Sequence, residues 1–334
     1  MEEVRCNLCN SNSTELLIVK NSFNIVRCSK CDLVYVNPRL TKEELKEIYS
    51  FSKNYYLDLS QNSIRQKEEI KKFRGYIKIV EKNKKSGRIL EIGCALGLFL
   101  KVAQEKNWEV YGVEFSNDLA QFAREKFGLN IVTGEFEETE FPSDFLDVAV
   151  LWDVLEHMLN PLSTLKRIRK ILRKDGYLFL TMPNINGFVP QTTYHLFGKT
   201  LGIWEHPSPP LHVYDLSDNT IKKMLNLADF EVIELKSQEI PVSYLVGEGI
   251  ISKLIRNLKK ITCPQTKNME KSTSHGNRNM KWTNLELVKY LARMFIQRPF
   301  YLVLYWIARI LKSGNSMFVI ARKKGKIKIL NKTN

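Results

Sequence analysis

The chain has 334 residues, 44% hydrophobic and 26% charged, with a formal net charge of +15. That length is enough to bury a full core and exceeds one typical domain, so one main domain with additions is the natural organisation. The charge is uneven: from Lys253 to Asn334 nineteen Lys and Arg face two acids, Glu270 and Glu286, a balance of +17, whereas the first 252 residues carry −2 and form no basic patch overall.

Met1 to Asn12 is polar and lacks the apolar stretch of a secretory leader, which predicts a cytoplasmic chain. In that setting six cysteines read as thiols or metal ligands rather than disulfides. Cys6-Asn-Leu-Cys9 and Cys28-Ser-Lys-Cys31 are two C-x-x-C knuckles separated by eighteen residues, the ligand spacing of a tetrahedral thiolate zinc site. Four sulfurs leave no open position for water, so such an ion is structural. Residues 1–40 therefore read as a zinc ribbon and 41–85 as a helical linker. Thr41 caps a short helix to Tyr49, with Glu44 completing a capping box. Phe51 to Leu59 is aromatic and turn-rich, and helical periodicity runs from about Gln61 to Lys84 through Ile64, Phe73, Ile77 and Val80.

Arg88-Ile-Leu-Glu-Ile-Gly-Cys-Ala-Leu-Gly97 is a β-branched run ending in a glycine turn, and Val110-Tyr-Gly-Val-Glu114 follows about twenty residues later. A strand, a glycine turn opening a helix, and a second strand ending in an acid is how α/β sheets bind nucleosides. A dinucleotide turn reads G-x-G-x-x-G, because a pyrophosphate needs close backbone approach and a free helix N-terminus. Here Ala95 and Leu98 stand where the second and third glycines would fall. Glu91, two residues before Gly93, would repel a phosphate and suits a cationic ligand instead. Glu114 is placed to accept hydrogen bonds from both ribose hydroxyls.

A third apolar run, Leu129–Val132, leads to Thr133–Glu137, and Phe145 to His157 reads as a fourth strand entering a helix. Pro161 to Arg173 has one apolar face (Leu162, Leu165, Ile168, Ile171, Leu172) and one basic face, which predicts a helix ended by Asp175-Gly176. Tyr177–Met182 is a fifth strand. Asn184 to Tyr214 is expected to be irregular, and it contains His195, Trp204, His206 and His212. Ser217 caps a helix to about Leu227, Phe230–Lys236 is a strand, and Met317–Arg322 is apolar and β-prone.

Taken in order, these motifs resemble those of class I S-adenosylmethionine-dependent methyltransferases over roughly residues 60–238 plus a last strand near 316–323. Pro183-Asn184 follows the fifth strand as in the ubiquinone-biosynthesis-like type. The resemblance implies an α/β, Rossmann-like, seven-stranded sheet, with a core at 86–239 and a last antiparallel strand and basic tail at 316–334. It implies S-adenosylmethionine as the cofactor, which carries a sulfonium, an ammonium and a ribose but no phosphate. Its contacts would come from Glu91, Gly93, Cys94, Ala95 and Gly97 at the turn, Glu114 and Phe115 after the second strand, Glu135 and Phe136 near adenine, and Asp153 near the methyl. In relatives a preceding helix with aromatic neighbours lies over the cofactor, a lid to which Tyr55 or Tyr56 would belong. Cys31-Asp-Leu-Val-Tyr-Val-Asn-Pro-Arg39 is similar to the zinc-ribbon lead-in of bacterial methyltransferases of sugar, polysaccharide and natural-product pathways.

Between residues 240 and 315 lies a basic insertion. Lys259–Lys281 is polar and reads as a mobile loop. Leu285–Lys312 is apolar with basic interruptions, but its uninterrupted run, Phe300–Ala308, is about nine residues and too short to cross a bilayer, which takes roughly twenty. Such a segment suits an interfacial helix on an anionic membrane, on its inner face for a cytoplasmic chain. It equally suits a cap on its own domain or on a second copy in a homo-oligomer.

Methyl transfer from a sulfonium is an in-line displacement, and positioning alone supplies much of the acceleration. A base is needed where the acceptor must lose a proton. His157 is the first candidate base or acceptor-orienting group, with Asp153, four residues earlier, as its partner or as a cofactor contact. His212 is the second. The expected function is methyl transfer from S-adenosylmethionine to a small-molecule, sugar or lipid-linked acceptor. The alternatives are an RNA methyltransferase gripping phosphates with its ribbon and basic C-terminal region, and a non-catalytic binding protein of the same fold.

Overall fold

The computed structural model describes residues 1–48, 62–199, 204, 206–238 and 298–325. It divides into two compact units, Met1–Gln238 with Asn315–Asn334, and Glu239–Gly314.

The chain opens with β1 (Thr14–Lys20), β2 (Phe23–Cys28) and β3 (Val34–Val36), an antiparallel meander. Residues 42–48 are helical, and the capping box is present: the Glu44 amide donates to Thr41 Oγ1 at 3.4 Å and the Thr41 amide to Glu44 Oε2 at 2.8 Å. A long helix, α1 (Ser63–Asn83), starts on the side chain of Asn62 and leads into the main sheet.

That sheet is built from β4 (Arg88–Ile92), β5 (Glu109–Glu114), β6 (Ile131–Thr133), β7 (Leu146–Trp152), β8 (Leu172–Pro183), β10 (Phe230–Gln238) and β11 (Ser316–Lys323), with β9 (Tyr214–Asp215) standing apart. The spatial order is β10-β11-β8-β7-β4-β5-β6, parallel from β8 to β6 and antiparallel where β11 inserts between β10 and β8. This is the seven-stranded α/β sheet expected of a class I methyltransferase.

Strand residues alternate between two cores, as the period of two requires. Ile89, Val148, Val150, Phe179 and Phe318 meet Ile77 and Val80 of α1, Phe99 of α2 (Leu98–Gln104) and Ala120 and Ala123 of α3 (Asn117–Phe127). Leu90, Ala149, Leu151, Leu178 and Val319 meet Leu165 and Ile168 of α4 (Pro161–Ile171) on the other face. β7 is buried along its whole length, the hallmark of a central parallel strand covered on both faces. The chain runs from β4 outward to β6 and then returns to β7 on the opposite side of β4. The crevice at the carboxyl ends of β4 and β7 is thus the switch point where such sheets take ligands.

The helix predicted to reach Arg173 ends at Ile171, because Leu172 is drawn into the sheet opposite Leu146 and is fully buried. β8 therefore starts earlier than the expected Tyr177. The intervening residues bulge through Asp175, whose φ is +62°. The stretch expected to be irregular contains α5 (Phe188–Thr193) and a wider helical turn, Tyr194–Gly198. Trp204 is buried and its indole N–H donates to Pro190 O at 3.0 Å. α6 (Asp218–Leu227) has the predicted Ser217 cap, reciprocated by Thr220.

The ribbon shares its sheet and its core with the rest of the first unit. β9, from the segment after β8, adds to β3 as a fourth strand, Tyr35 opposite Tyr214 and Val34 opposite Asp215. The buried Arg39 guanidinium donates to Leu159 O at 2.6 Å and to Tyr214 Oη at 3.2 Å. Asn7 Oδ1 accepts from the Leu162 amide at 3.0 Å, so the ribbon caps α4, whose own Asn160 makes no side-chain cap.

In the second unit, α7 (Arg298–Ile310) is the described helix. No described helix is long and apolar enough to cross a membrane. Tyr55, Tyr56, the loop 259–281, residues 285–297 and the tail from residue 326 lie outside the described residues.

Candidate functional site

The turn after β4 takes the conformations that its glycines allow. Gly93 and Gly97 both have φ of +71°, and Ala95 adopts +45° between them. A methyl group added to Gly93 would fall 2.8 Å from Val154 Cγ2, and one on Gly97 2.6 Å from Leu129 Cδ1. The turn is locked to β5 by hydrogen bonds from the Gly93 amide at 2.8 Å and the Cys94 amide at 3.2 Å to Val113 O. Cys94 is buried beneath it, and its sulfur would lie 2.9 Å from a β-carbon on Gly112, so this thiol fills the space under β5. Burial pushes its pKa well up, and Glu91 and Glu114 add to that.

Glu114 closes the other side. Its Oε2 accepts from the Ala95 amide and its Oε1 from the Ser116 amide, each at 2.8 Å. Each oxygen retains a second lone pair, the arrangement that accepts a pair of vicinal hydroxyls. Burial raises the Glu114 pKa despite those amides. Glu91, 3% exposed, has no hydrogen-bond partner at Oε2, and burial together with the Glu114 charge holds its carboxyl well above the usual range. Two buried acids around one glycine turn make a place for a cation, and a phosphate is excluded there.

Beyond β5 and β6, Phe115 is 40% exposed, with Lys46 Nζ 5.8 Å from its ring centre. Glu135 pairs with Lys42 at 2.7 Å and Lys46 at 3.0 Å, so the helical residues 42–48 lie across this edge. Phe136 is buried in the core with the Arg167 guanidinium 5.5 Å from its ring centre.

At the exit of β7, Asp153 has φ of +55° and is exposed, its amide donating to Thr181 O and Oγ1, each at 3.0 Å. No α-helix begins there. A single 3-10 turn, Leu155–His157, follows, so the i, i+4 relation expected of Asp153 and His157 does not arise. His157 instead places Nδ1 2.9 Å from Leu211 O and its ring edge-on to His212, with centres 4.9 Å apart. The structure thus brings His157 and His212 together across 54 residues of sequence.

It also adds residues that the sequence reading did not select. Glu156 is 1% exposed and neither of its carboxylate oxygens has a hydrogen-bond partner. Burial, then the charges of Asp153 and Asp215, raise its pKa well above the usual range. Asp215 is buried with its Oδ1 3.7 Å from His206 Nε2, and burial raises its pKa to about 7. Burial lowers His206 and His212 to about 3 each and lowers His157 as well. His195 is exposed beside Tyr194, outside this group. The signal for Glu156 was its place next to His157, and for Asp215 its place three residues after His212.

In the ribbon, the sulfurs of Cys6 and Cys31 are 3.4 Å apart and those of Cys9 and Cys28 3.5 Å, with all four inside 4.8 Å of one another. Sulfurs about 2.3 Å from a shared tetrahedral ion stand roughly 3.8 Å apart, so this donor set fits zinc. The two knuckles are built alike. The Asn10 amide donates to Cys6 O at 2.8 Å and the Asp32 amide to Cys28 O at 3.0 Å, and both Asn10 and Asp32 have positive φ, +59° and +67°.

Sheet order, glycine turn and paired acids define an α/β protein of the class I methyltransferase type. The chain belongs to the methyltransferase domain family, whose model matches residues 64–235, just over half of its length. It is 24% identical over 145 residues to a probable S-adenosylmethionine-dependent methyltransferase of Mycolicibacterium smegmatis, covering 43% of this chain and 52% of that protein. A ubiquinone biosynthesis O-methyltransferase of Haemophilus ducreyi is 23% identical over 107 residues, 29% of this chain and 45% of its own. The chain thus spans about half the length of these curated relatives. A SAM-dependent methyltransferase from Archaeoglobus fulgidus superposes with a TM-score of 0.47 at 18% identity, covering 77% of this chain and 94% of its own.

Proposed function

We propose that the chain transfers a methyl group from S-adenosylmethionine to a small-molecule, sugar or lipid-linked acceptor, and that Cys6, Cys9, Cys28 and Cys31 hold a structural zinc ion. The observation that carries the first part is the pair of buried acids around the glycine turn. Glu114, fixed by the Ala95 and Ser116 amides, has lone pairs left for the ribose hydroxyls, and Glu91 is a buried acid whose charged form a cationic cofactor would favour. When bound, S-adenosylmethionine supplies an electrophilic methyl. The acceptor's lone pair forms the new bond to that carbon as the sulfur–carbon bond breaks, with the electron pair staying on sulfur, and an acceptor O–H or N–H gives up its proton. Glu156, His157 and His212 stand where the acceptor side is expected, next to Val154, which backs onto Gly93.

The lipid-linked arm of this reading is supported by α7. Leu302, Val303, Trp306 and Ile310 on it are exposed, Trp306 at 65%, and residues 298–312 contain no acid. An apolar face with basic neighbours suits an anionic membrane surface.

Calorimetry on the zinc-loaded full chain tests the cofactor. S-adenosylmethionine and its demethylated product are both expected to bind, and Glu114→Gln to weaken them by about tenfold to a hundredfold, the worth of hydrogen bonds to a charged group. No binding by the native chain overturns the proposal. Mass spectrometry of extracts incubated with enzyme and cofactor then identifies the acceptor by a gain of one CH2. Steep loss of RNA binding with salt, together with a methylated RNA, would favour the RNA reading.

A further inference from the structure

We propose that the ribbon is the positioning element of the acceptor side, and that Arg39 is the positioning residue through which it acts. The inference rests on the methyltransferase reading, with the acceptor at His157 and His212. Those histidines sit on two segments far apart in sequence, the turn after β7 and the run entering β9, and the ribbon is attached to both.

Arg39 follows β3 by three residues, and its backbone is pinned to the start of the chain. The Glu2 amide donates to Arg39 O at 2.8 Å and the Arg39 amide to Glu2 O at 3.0 Å. The guanidinium is 7% exposed and pairs through Nε with Glu2 at 2.9 Å. Its Nη1 donates to Leu159 O, two residues after His157, at 2.6 Å, and to Tyr214 Oη, two residues after His212, at 3.2 Å. The Tyr214 hydroxyl donates in turn to Leu159 O at 3.0 Å, so both lone pairs of that carbonyl are taken. Arg39, Leu159 and Tyr214 close a triangle, and sliding either histidine-bearing segment breaks hydrogen bonds to a buried charge. A lysine presents a single nitrogen rather than a planar fork and cannot replace that geometry.

The His212 segment is also held upstream, by the turn between β1 and β2. Lys20 Nζ donates to Trp204 O at 2.8 Å and to Pro207 O at 2.7 Å, and Asn21 Nδ2 donates to Pro209 O at 3.2 Å. His212 thus lies between two ribbon anchors, Pro209 three residues before it and Tyr214 two after. On the cofactor side the hydrogen bonds have a different origin: Gly93, Ala95 and Glu114 are fixed by Val113, by one another and by Ser116. Loss of Arg39 therefore disturbs the acceptor groups and spares the cofactor. Transfer depends steeply on alignment, and a displacement of about 1 Å is enough to cost about a hundredfold in rate.

The test uses the zinc-loaded full chain carrying 15N-labelled histidine. Arg39→Met and Tyr214→Phe are each expected to shift the ring signals of His157 and His212, assigned with single His→Gln variants. The signal of His195, exposed beside Tyr194, is expected to stay in place. Calorimetry should show unchanged affinity for S-adenosylmethionine. With methyl-labelled cofactor at saturation and a cell extract as the acceptor source, transfer should fall by about tenfold to a hundredfold in Arg39→Met. In Tyr214→Phe, which loses one hydroxyl and keeps its ring, the fall should be about twofold to tenfold. Arg39→Lys should restore little of the loss. If Arg39→Met does not fold by circular dichroism, Tyr214→Phe decides. Unmoved His157 and His212 signals in folded Tyr214→Phe, or cofactor affinity that falls as far as transfer does, overturns the proposal. Unmoved signals beside an active native chain overturn this inference alone, whereas a native chain that binds no cofactor overturns the methyltransferase reading whatever the histidine signals do.

Discussion

Gly93 has a φ of +71° and Val154 directly behind its α-carbon, so a side chain there is both strained and obstructed. Gly93→Ala is expected to cost about 1–3 kcal/mol of stability, read from the denaturant midpoint, and to weaken cofactor binding as well. Asp147 works at the opposite end of the sheet, 4% exposed, where its carboxylate accepts from the Arg88 amide at 2.9 Å and pairs with Lys84 and Arg173 at 3.1 Å each. Burial opposes its ionisation, but the Arg88 amide and the two cations prevail and hold its pKa below the ordinary value. A depressed carboxyl stabilises the fold above the unfolded pKa and loses that contribution as pH falls through the folded one. Asp147→Asn should therefore cost about 1.5–3 kcal/mol at neutral pH, a gap that narrows below about pH 4 in parallel melts. The glycine turn and Glu114 were legible from sequence because their chemistry lies within thirty residues and follows strand and turn rules. The Glu156, His157 and His212 group was only half legible. His212 meets His157 through the path of the segment after β8, which no local periodicity encodes.

Among elements, those with strong local signals follow their residues. The Thr41 capping box, the Ser217 cap and the amphipathic α4 formed where side-chain spacing placed them. Tertiary demand moved the boundaries. Leu172 belongs to a helical face by periodicity, yet burial opposite Leu146 makes it the first residue of β8. The turn after Asp153 stays a single 3-10 turn because Asp153 takes a left-handed conformation and Val213 pairs with the Glu156 carbonyl. On α7, Leu304 and Ala308, four apart, are buried, while Leu302, Trp306 and Ile310 repeat at the same spacing on an exposed face. Trp306→Glu with Ile310→Glu is expected to abolish most co-sedimentation with anionic liposomes while leaving cofactor affinity unchanged. Equal pelleting of variant and native chain would remove the membrane from the proposal.

At the scale of the molecule, the ribbon and the main sheet are one construction. Sequence spacing delimited a ribbon at residues 1–40, but it did not reveal that β9 completes the ribbon sheet, or that Asn7 caps α4 and Arg39 braces Leu159. Those contacts join residues more than a hundred positions apart and depend on shape. Stripping the zinc with a thiol-competing chelator, or Cys28→Ser, is expected to lower the melting temperature of the whole first unit in one transition and to weaken cofactor binding. Two separate transitions, with cofactor binding intact, would show a dispensable module.

The strand exchange at Tyr35 and Tyr214 also sets an order of events during synthesis. The four cysteines are made before the main sheet and their cluster can close first, but β3 keeps a bare edge until Tyr214 and Asp215 emerge, after five of the seven strands of the main sheet. Throughout the synthesis of residues 37–213 the nascent chain therefore carries an unpaired strand edge, which is protected just before α6 is made.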